Sequence, residues 1–205
     1  MKWKDFIAQR KTEIILTAIF LAIVLFILPK FLDLVEDRNG VVLPDPILKI
    51  FNPIDLTWLI FGLLYISLMT GIIYFSTKPE LLLTALQSYS ILILFRMIVM
   101  YVTPFNAPQD SILLDDPFVQ IFGTGKILTK DLFFSGHTAI IFLLCLVVDK
   151  KYLKLSFLIC TILIGAAVLL QHVHYTVDVI SAPFFAYASF RLIKIIRNKL
   201  PGIVK

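Results

Sequence analysis

Apolar residues run through this chain in six long stretches, approximately 14–28, 56–75, 81–102, 132–148, 153–170 and 175–196. A helix needs roughly 17–25 predominantly apolar residues to cross the hydrocarbon layer of a bilayer. The pattern therefore predicts an all-α polytopic membrane protein with six transmembrane helices. Prolines punctuate it: Pro29, Pro44, Pro46 and Pro53 in a first loop, Pro79 in a tight second turn, and Pro104, Pro108 and Pro117 in a long third loop. Pro183 falls inside the sixth stretch and is expected to kink that helix, which neighbouring helices accommodate. The basic start followed by 14–28 imitates a signal peptide, but Pro29-Lys30-Phe31-Leu32 offers no small-residue cleavage site, so a retained first helix is expected.

Composition agrees with the pattern. Hydrophobic residues make up 59% and charged residues 16%, which excludes an ordinary water-soluble globule of 205 residues. One membrane domain over 1–205 is expected, with a catalytic core at about 81–196. The net charge of +5 does not indicate nucleic acid, because the basic residues sit at the ends of the apolar runs. With the N-terminus in the cytoplasm, thirteen lysines and arginines fall on the inner side and five on the outer. That bias places both termini, the turn at Lys78 and the corner at Lys150-Lys151 in the cytoplasm, and the first and third loops outside. Cys145 and Cys160 lie in apolar runs and read as buried small hydrophobes; no zinc-type spacing occurs, and no metal or cofactor is expected. The compact chain suggests a bacterial inner (cell) membrane.

Candidate chemistry concentrates in Ser135-Gly136-His137-Thr138 and His174-Tyr175-Thr176-Val177-Asp178. The two histidines are 37 positions apart, separated by two apolar runs and the charged corner Asp149-Lys150-Lys151. A helical hairpin of that length returns both to the same, extracytoplasmic side. Asp178 follows His174 at i+4, on the same helix face. Arg96 lies six residues, or ~9 Å, below the outer end of the third predicted helix. A guanidinium at that depth faces a partner or polar cavity, or else snorkels to the headgroups. Each residue also has an ordinary reading: Ser135 as an N-cap, a histidine as a hydrogen-bonded structural residue, and His172 as a loop lining. Together they suit phosphoryl chemistry. Ser135, Gly136 and the start of the fourth helix would present N–H groups to an anion, with Arg96 and His172 as further phosphate ligands. Asp178 would fix the tautomer of His174 and leave its other nitrogen to attack, and His137 would protonate the leaving oxygen.

These two motifs resemble those of the sphingomyelin synthase family, a branch of the type 2 phosphatidic acid phosphatase (PAP2) superfamily. Leu43-Pro44-Asp45-Pro46 resembles that family's proline-rich motif, and Arg96 with Met100-Tyr101-Val102-Thr103 its motif on the third span. Asp131 stands where the family has the aspartate of a Cys-Gly-Asp triplet, and His172 has a counterpart. The resemblance implies six spans, cytosolic termini and an extracytoplasmic His/His/Asp site. It implies that His174 attacks a phospholipid's head-group phosphate, that Asp178 activates it, and that His137 assists diacylglycerol departure and then deprotonates an acceptor. The implied reaction moves a phospho-alcohol head group from a glycerophospholipid to ceramide or a related lipid alcohol. Asp45, Asp131 and Tyr175 are then head-group or loop candidates.

There are departures. Thr129-Lys130 replace the Cys-Gly pair, Val41-Val42 replace a proline pair, and the segment before the first span is short, with no sterile-alpha-motif domain. The superfamily's upstream Ser-Arg pair would fall near Ala167-Val168, inside an apolar run, which argues against an ordinary lipid phosphatase. Asp110, Asp115 and Asp116 make the third outer loop acidic, either as a solvated loop or as a lip for an ammonium. Gly123-Thr124-Gly125-Lys126 lacks the full spacing of a phosphate loop and reads as a turn. Tyr175, Tyr101 and Trp58 are expected as interfacial anchors.

Overall fold

The computed structural model describes residues 3–114 and 128–199; Asp115, Asp116, Pro117 and the 123–126 turn lie outside them. Seven α-helices occur among the described residues. They are α1 (Trp3–Gln9), α2 (Lys11–Asp37), α3 (Thr57–Ser76), α4 (Pro79–Val102), α5 (Gly136–Val147), α6 (Lys151–Leu170) and α7 (Thr176–Lys199). A 3-10 turn at Leu48–Ile50 and one isolated bridge between Val41 and Phe105 complete the regular structure described. Five helices, α2, α3, α4, α6 and α7, are long and apolar enough to cross a membrane. Large apolar side chains such as Phe26, Ile66, Ile162 and Phe184 face outward from them. Such a surface belongs in lipid, and the chain is an integral membrane protein.

Two predicted helices change shape. The run 14–28 is only the middle of α2, which passes through Pro29 and ends at Asp37. Pro29 forfeits a backbone bond without ending the helix, a loss that membrane helices tolerate. Lys30, expected in a loop, is helical, with its ammonium over the Phe26 ring. At 1.5 Å per residue α2 is ~40 Å long, against a hydrocarbon core of ~30 Å, so its last turns project beyond that core. The predicted helix 132–148 is shortened at its start: α5 begins at Gly136 and has 12 residues, or ~18 Å. Ser135 sets the boundary, because its hydroxyl accepts from the Thr138 N–H and its backbone is extended.

The short helix is the centre of the bundle. It packs against α3, α4, α6 and α7, and seven of its twelve residues are buried. Glycines let the helices approach: a Cβ on Gly165 would lie 3.0 Å from Val179. Cys145 is buried as expected, its thiol donating to the Lys154 carbonyl.

Charged and polar groups tie the two ends of the bundle. At one end, Glu13 on α2 accepts from Arg10, Gln87 and Arg197, which joins α2, α4 and α7. The start of α2 and the end of α7 therefore lie at the same end of the bundle. Asp149, after α5, accepts from Tyr74 and Lys78, which locks two tight turns together.

At the opposite, loop end, everything converges on residues 170–176. Gln171 is fully buried: its side chain accepts from the Leu56 N–H (3.1 Å) and donates to Thr57 Oγ1 (2.9 Å) and the Ile112 carbonyl (3.3 Å). Tyr175 is buried rather than interfacial; its hydroxyl accepts from the Leu43 N–H and donates to the Asn106 carbonyl. It must bridge two loops because its phenol has no water to bond. Tyr101 and Trp58 remain exposed, as expected of anchors. Gly40 lets the first and third loops touch, since a Cβ there would lie 2.7 Å from the Phe105 carbonyl carbon.

Asp45, 131 positions away in the chain, caps α7: its carboxylate accepts from the Thr176 N–H (2.6 Å) and hydroxyl (3.1 Å) and from the Ile47 N–H (3.0 Å). Partial burial opposes ionisation of this carboxyl, but the donors of Thr176, Ile47 and Leu48 outweigh it and hold it below its ordinary range. Replacing Asp45 by Ala should cost ~0.5–2 kcal/mol, read as a lowered melting temperature in detergent, and Asp45→Ser should restore part of it. Because the folded-state value is the lower one, the wild-type cap is complete above the ordinary carboxylate range and is lost as pH falls through the lowered value. The Ala variant should show no such acid loss.

Candidate active site

The turn after α6 and the start of α7 hold the second motif. Gln171 anchors the turn, and His172 then takes a left-handed backbone (φ 57°), so the chain doubles back before His174. Asp178 sits in the first turn of α7, where the helix dipole favours a negative charge. It is fully buried. His174 Nδ1–H donates to Asp178 Oδ2 at 3.2 Å, and the same oxygen accepts from the Tyr175 N–H. The i+4 spacing thus delivers the expected pair, and Nδ1 is the ring nitrogen that faces Asp178.

The first motif meets the second through the backbone. The Ser135 N–H donates to the Asp178 carbonyl at 3.1 Å, so the residue two before His137 is bonded to the residue four after His174. Ser135 is completely buried, occupied by this bond and by its cap of α5. It serves as a strut between the motifs. His137 lies in the first turn of α5 with its ring edge-on to Phe61 (5.8 Å between centroids).

Arg96 comes to the same place from α4. Its Nη2 is 2.7 Å from Asp131 Oδ1, and the guanidinium also donates to the carbonyls of Asp131 and Phe134. Irregular backbone at this depth needs partners for its carbonyls, and the guanidinium provides them. Arg96 therefore has both a partner, the Asp131 carboxylate, and a place beside a cavity. Gly136 packs against the guanidinium: a Cβ there would be 2.8 Å from Nη1. Burial opposes ionisation of Asp131, but Arg96, and more weakly the imidazoles of His174 and His137, hold its carboxyl below the ordinary range.

A cavity of about 420 Å³ opens beside this cluster. Arg96, Asp131, Gly136 and His137 line its loop end, and Leu68, Tyr89 and Ile140 line its deeper part. His172 is not among its walls. The structure places that residue against Phe51, in a second cavity near the first loop, so His172 does not join the phosphate-binding group expected for it. Asp45 and Tyr175 likewise hold α7 and the loops in place without entering the Arg96 cavity.

Glu36 was not legible as part of the site. Its carboxylate accepts from the N–H and hydroxyl of Thr129 and the N–H of Lys130, while Lys130 Nζ donates back to the carbonyls of Glu36 and Arg38. Arg38 in turn donates to the last carbonyls of α4 at Met100 and Tyr101. The projecting end of α2 thus grips the two residues before Asp131. Among the described residues, no group of three or more His, Cys, Asp or Glu side chains is arranged to hold a metal ion.

Apolar helices that belong in lipid enclose a half-apolar cavity walled by Arg96, Asp131 and His137, while His174 and Asp178 are joined to it through Ser135 and are not among its walls: the chain is of the class of polytopic helical membrane proteins. Comparison with known proteins narrows it. Residues 130–195, about a third of the chain, match the family described as PAP2 superfamily C-terminal, which relates this segment, with both histidine motifs, to the PAP2 superfamily. That relation points to phosphatase- or phosphotransferase-type chemistry on lipid phosphates. No curated protein matches the chain.

Replacing Arg96 by Met strips the partly exposed Asp131 and two part-buried carbonyls of their donor and should destabilise the protein by ~1–3 kcal/mol, measured by thermal unfolding in micelles. Adding Asp131→Leu to that variant should recover a part, because the orphaned charge is then gone.

Proposed function

We infer that this protein is a membrane phosphotransferase that moves a phospho-alcohol head group from a glycerophospholipid to ceramide or a related lipid alcohol. The observation that carries this reading is the buried His174–Asp178 pair, tied through Ser135 to the His137 and Arg96 cavity. A water-soluble phosphate needs no apolar chamber. This cavity is charged at its loop end, where Arg96, Asp131 and His137 lie, and apolar below, a profile that suits a lipid with its phosphate beside His137. The resemblance to sphingomyelin synthases favours a lipid alcohol as acceptor, and the positive-inside pattern puts the site on the extracytoplasmic leaflet with both termini in the cytoplasm.

In the first step His174 Nε2 attacks phosphorus, the bond to the diacylglycerol oxygen breaks, and His137 gives that oxygen its proton. Asp178 holds His174 through Nδ1 and stabilises the cation as it forms. In the second step the acceptor hydroxyl loses its proton to His137 and attacks phosphorus, and the phosphorus–nitrogen bond breaks to restore His174. Arg96, with Asp131 beside it, offers the guanidinium edge that remains to the phosphoryl oxygens.

A second reading is favoured by the family match itself: water as acceptor, giving a lipid phosphatase or a phospholipase C-like hydrolase. The two separate in one assay, in which purified protein is given head-group-labelled phosphatidylcholine, phosphatidylethanolamine or phosphatidylinositol with and without ceramide. Transfer predicts label in a new lipid only when ceramide is present. Soluble phospho-alcohol released without ceramide would replace this reading by the hydrolytic one. His174→Ala should abolish the acid-labile protein-bound label seen after rapid quenching, and His137→Ala should slow turnover by ~10²–10⁴-fold. If His174→Ala retains activity, phosphohistidine chemistry is excluded.

A further inference from the structure

Beside the first turn of α7 lies a groove of about 660 Å³, walled by Leu43, Pro44, Pro46 and Ile47 of the first loop and by Val177 and Ile180. The polar side chains on its walls have their partners within the protein. Asp45 accepts from Thr176 and Ile47, and the Tyr175 hydroxyl lies between the Leu43 N–H and the Asn106 carbonyl. At ~30 Å³ each, about twenty waters would stand there against mostly apolar walls. A hydrocarbon chain in their place would forfeit no hydrogen bond.

The groove also continues a lipid-facing surface. Val177, Ile180 and Phe184 are exposed on one face of α7, and Ile180 carries the groove a full turn into that helix. The adjoining loop is amphipathic. In its 3-10 turn Ile47 and Ile50 lie three apart and share an edge, whereas Leu48 is buried against Leu132 and Tyr175. Ile50 is 77% exposed. The next helix, α3, starts at Thr57 and is ~30 Å long, the thickness of the hydrocarbon core, so the loop enters it at the membrane boundary.

We propose that this groove holds an acyl chain of a phospholipid, and that the edge formed by Ile47 and Ile50 lies in the leaflet beside it. The ligand is recognised by its hydrocarbon, so the groove takes phospholipids irrespective of head group. Lys49, exposed next to Ile50, suits the head-group phosphates while its stem stays on apolar surface. The groove shares no wall residue with the Arg96 cavity, and its assignment does not rest on the phosphotransfer reading.

Depth-dependent fluorescence of the full-length protein in nanodiscs tests this. Trp3→Phe and Trp58→Phe remove the native indoles, and Ile47→Trp or Ile50→Trp then supplies a single reporter. Both reporters should emit at short wavelength and lose most of that emission to lipids brominated near the head-group end of their chains, and little to iodide. Emission at long wavelength, quenched by iodide, would put the loop in water and overturn the proposal. Short-wavelength emission that the brominated lipids leave unchanged would put protein on this face, a second copy of the chain included, and would overturn it equally. Native mass spectrometry reads the groove itself. Ile180→Trp, which fills the groove, should retain one lipid fewer than the wild type, equally in phosphatidylcholine, phosphatidylethanolamine and phosphatidylglycerol. An unchanged count, or a loss confined to one head group, contradicts an acyl-chain seat.

Discussion

A guanidinium buried among helices must be neutralised and fully bonded, and here that requirement shapes the chain around it. Arg96 sits on a transmembrane helix, and the stretch 131–135 supplies what it needs: one carboxylate and two carbonyls. The need is mutual. Non-helical backbone cannot survive at membrane depth without donors for its carbonyls, and the arginine is that donor. The charge and the irregular backbone each supply the hydrogen-bond partner that the other lacks. The product of this exchange is a short α5 whose first turn presents His137 beside the cavity.

The rest of the site is held from the loops inward. Asp45, Gln171 and Tyr175 touch different loops yet all fix the few residues around His174. None of the three reaches the Arg96 cavity, so their contribution is placement. Phosphoryl transfer depends more on alignment and fixed charge than on covalent help from many groups, and a turn clamped by two loops suits that demand. Ser135 is where the two halves are joined, through a backbone bond to Asp178 that any side-chain-centred view would overlook.

The long apolar helices and the His174–Asp178 pair were legible because both follow from spacing: runs long enough for a bilayer, and an i+4 interval on one helix face. The ends of elements were less so. Pro29 looked like a boundary, but tertiary packing carries α2 through it. The fourth stretch looked like a full span since Leu132, Phe133 and Phe134 are apolar, whereas they belong to the irregular segment before Ser135. Asp45 reads in sequence only as a head-group or loop candidate, and nothing near Glu36 marks it; their partners lie 131 and about 93 positions away, and no local pattern encodes such distances. His172 was grouped with the phosphate ligands by closeness in sequence, yet its left-handed backbone turns it towards another cavity.

The overhang of α2 has a mechanical corollary. A rod longer than the layer it crosses leans, and the lean changes with the thickness of that layer. Glu36 rides on the protruding tip and grips Thr129 and Lys130, immediately next to the aspartate that balances Arg96. The far end of the long helix and the wall of the pocket are thus pinned to one another, so α2 and the candidate site share a single anchoring point.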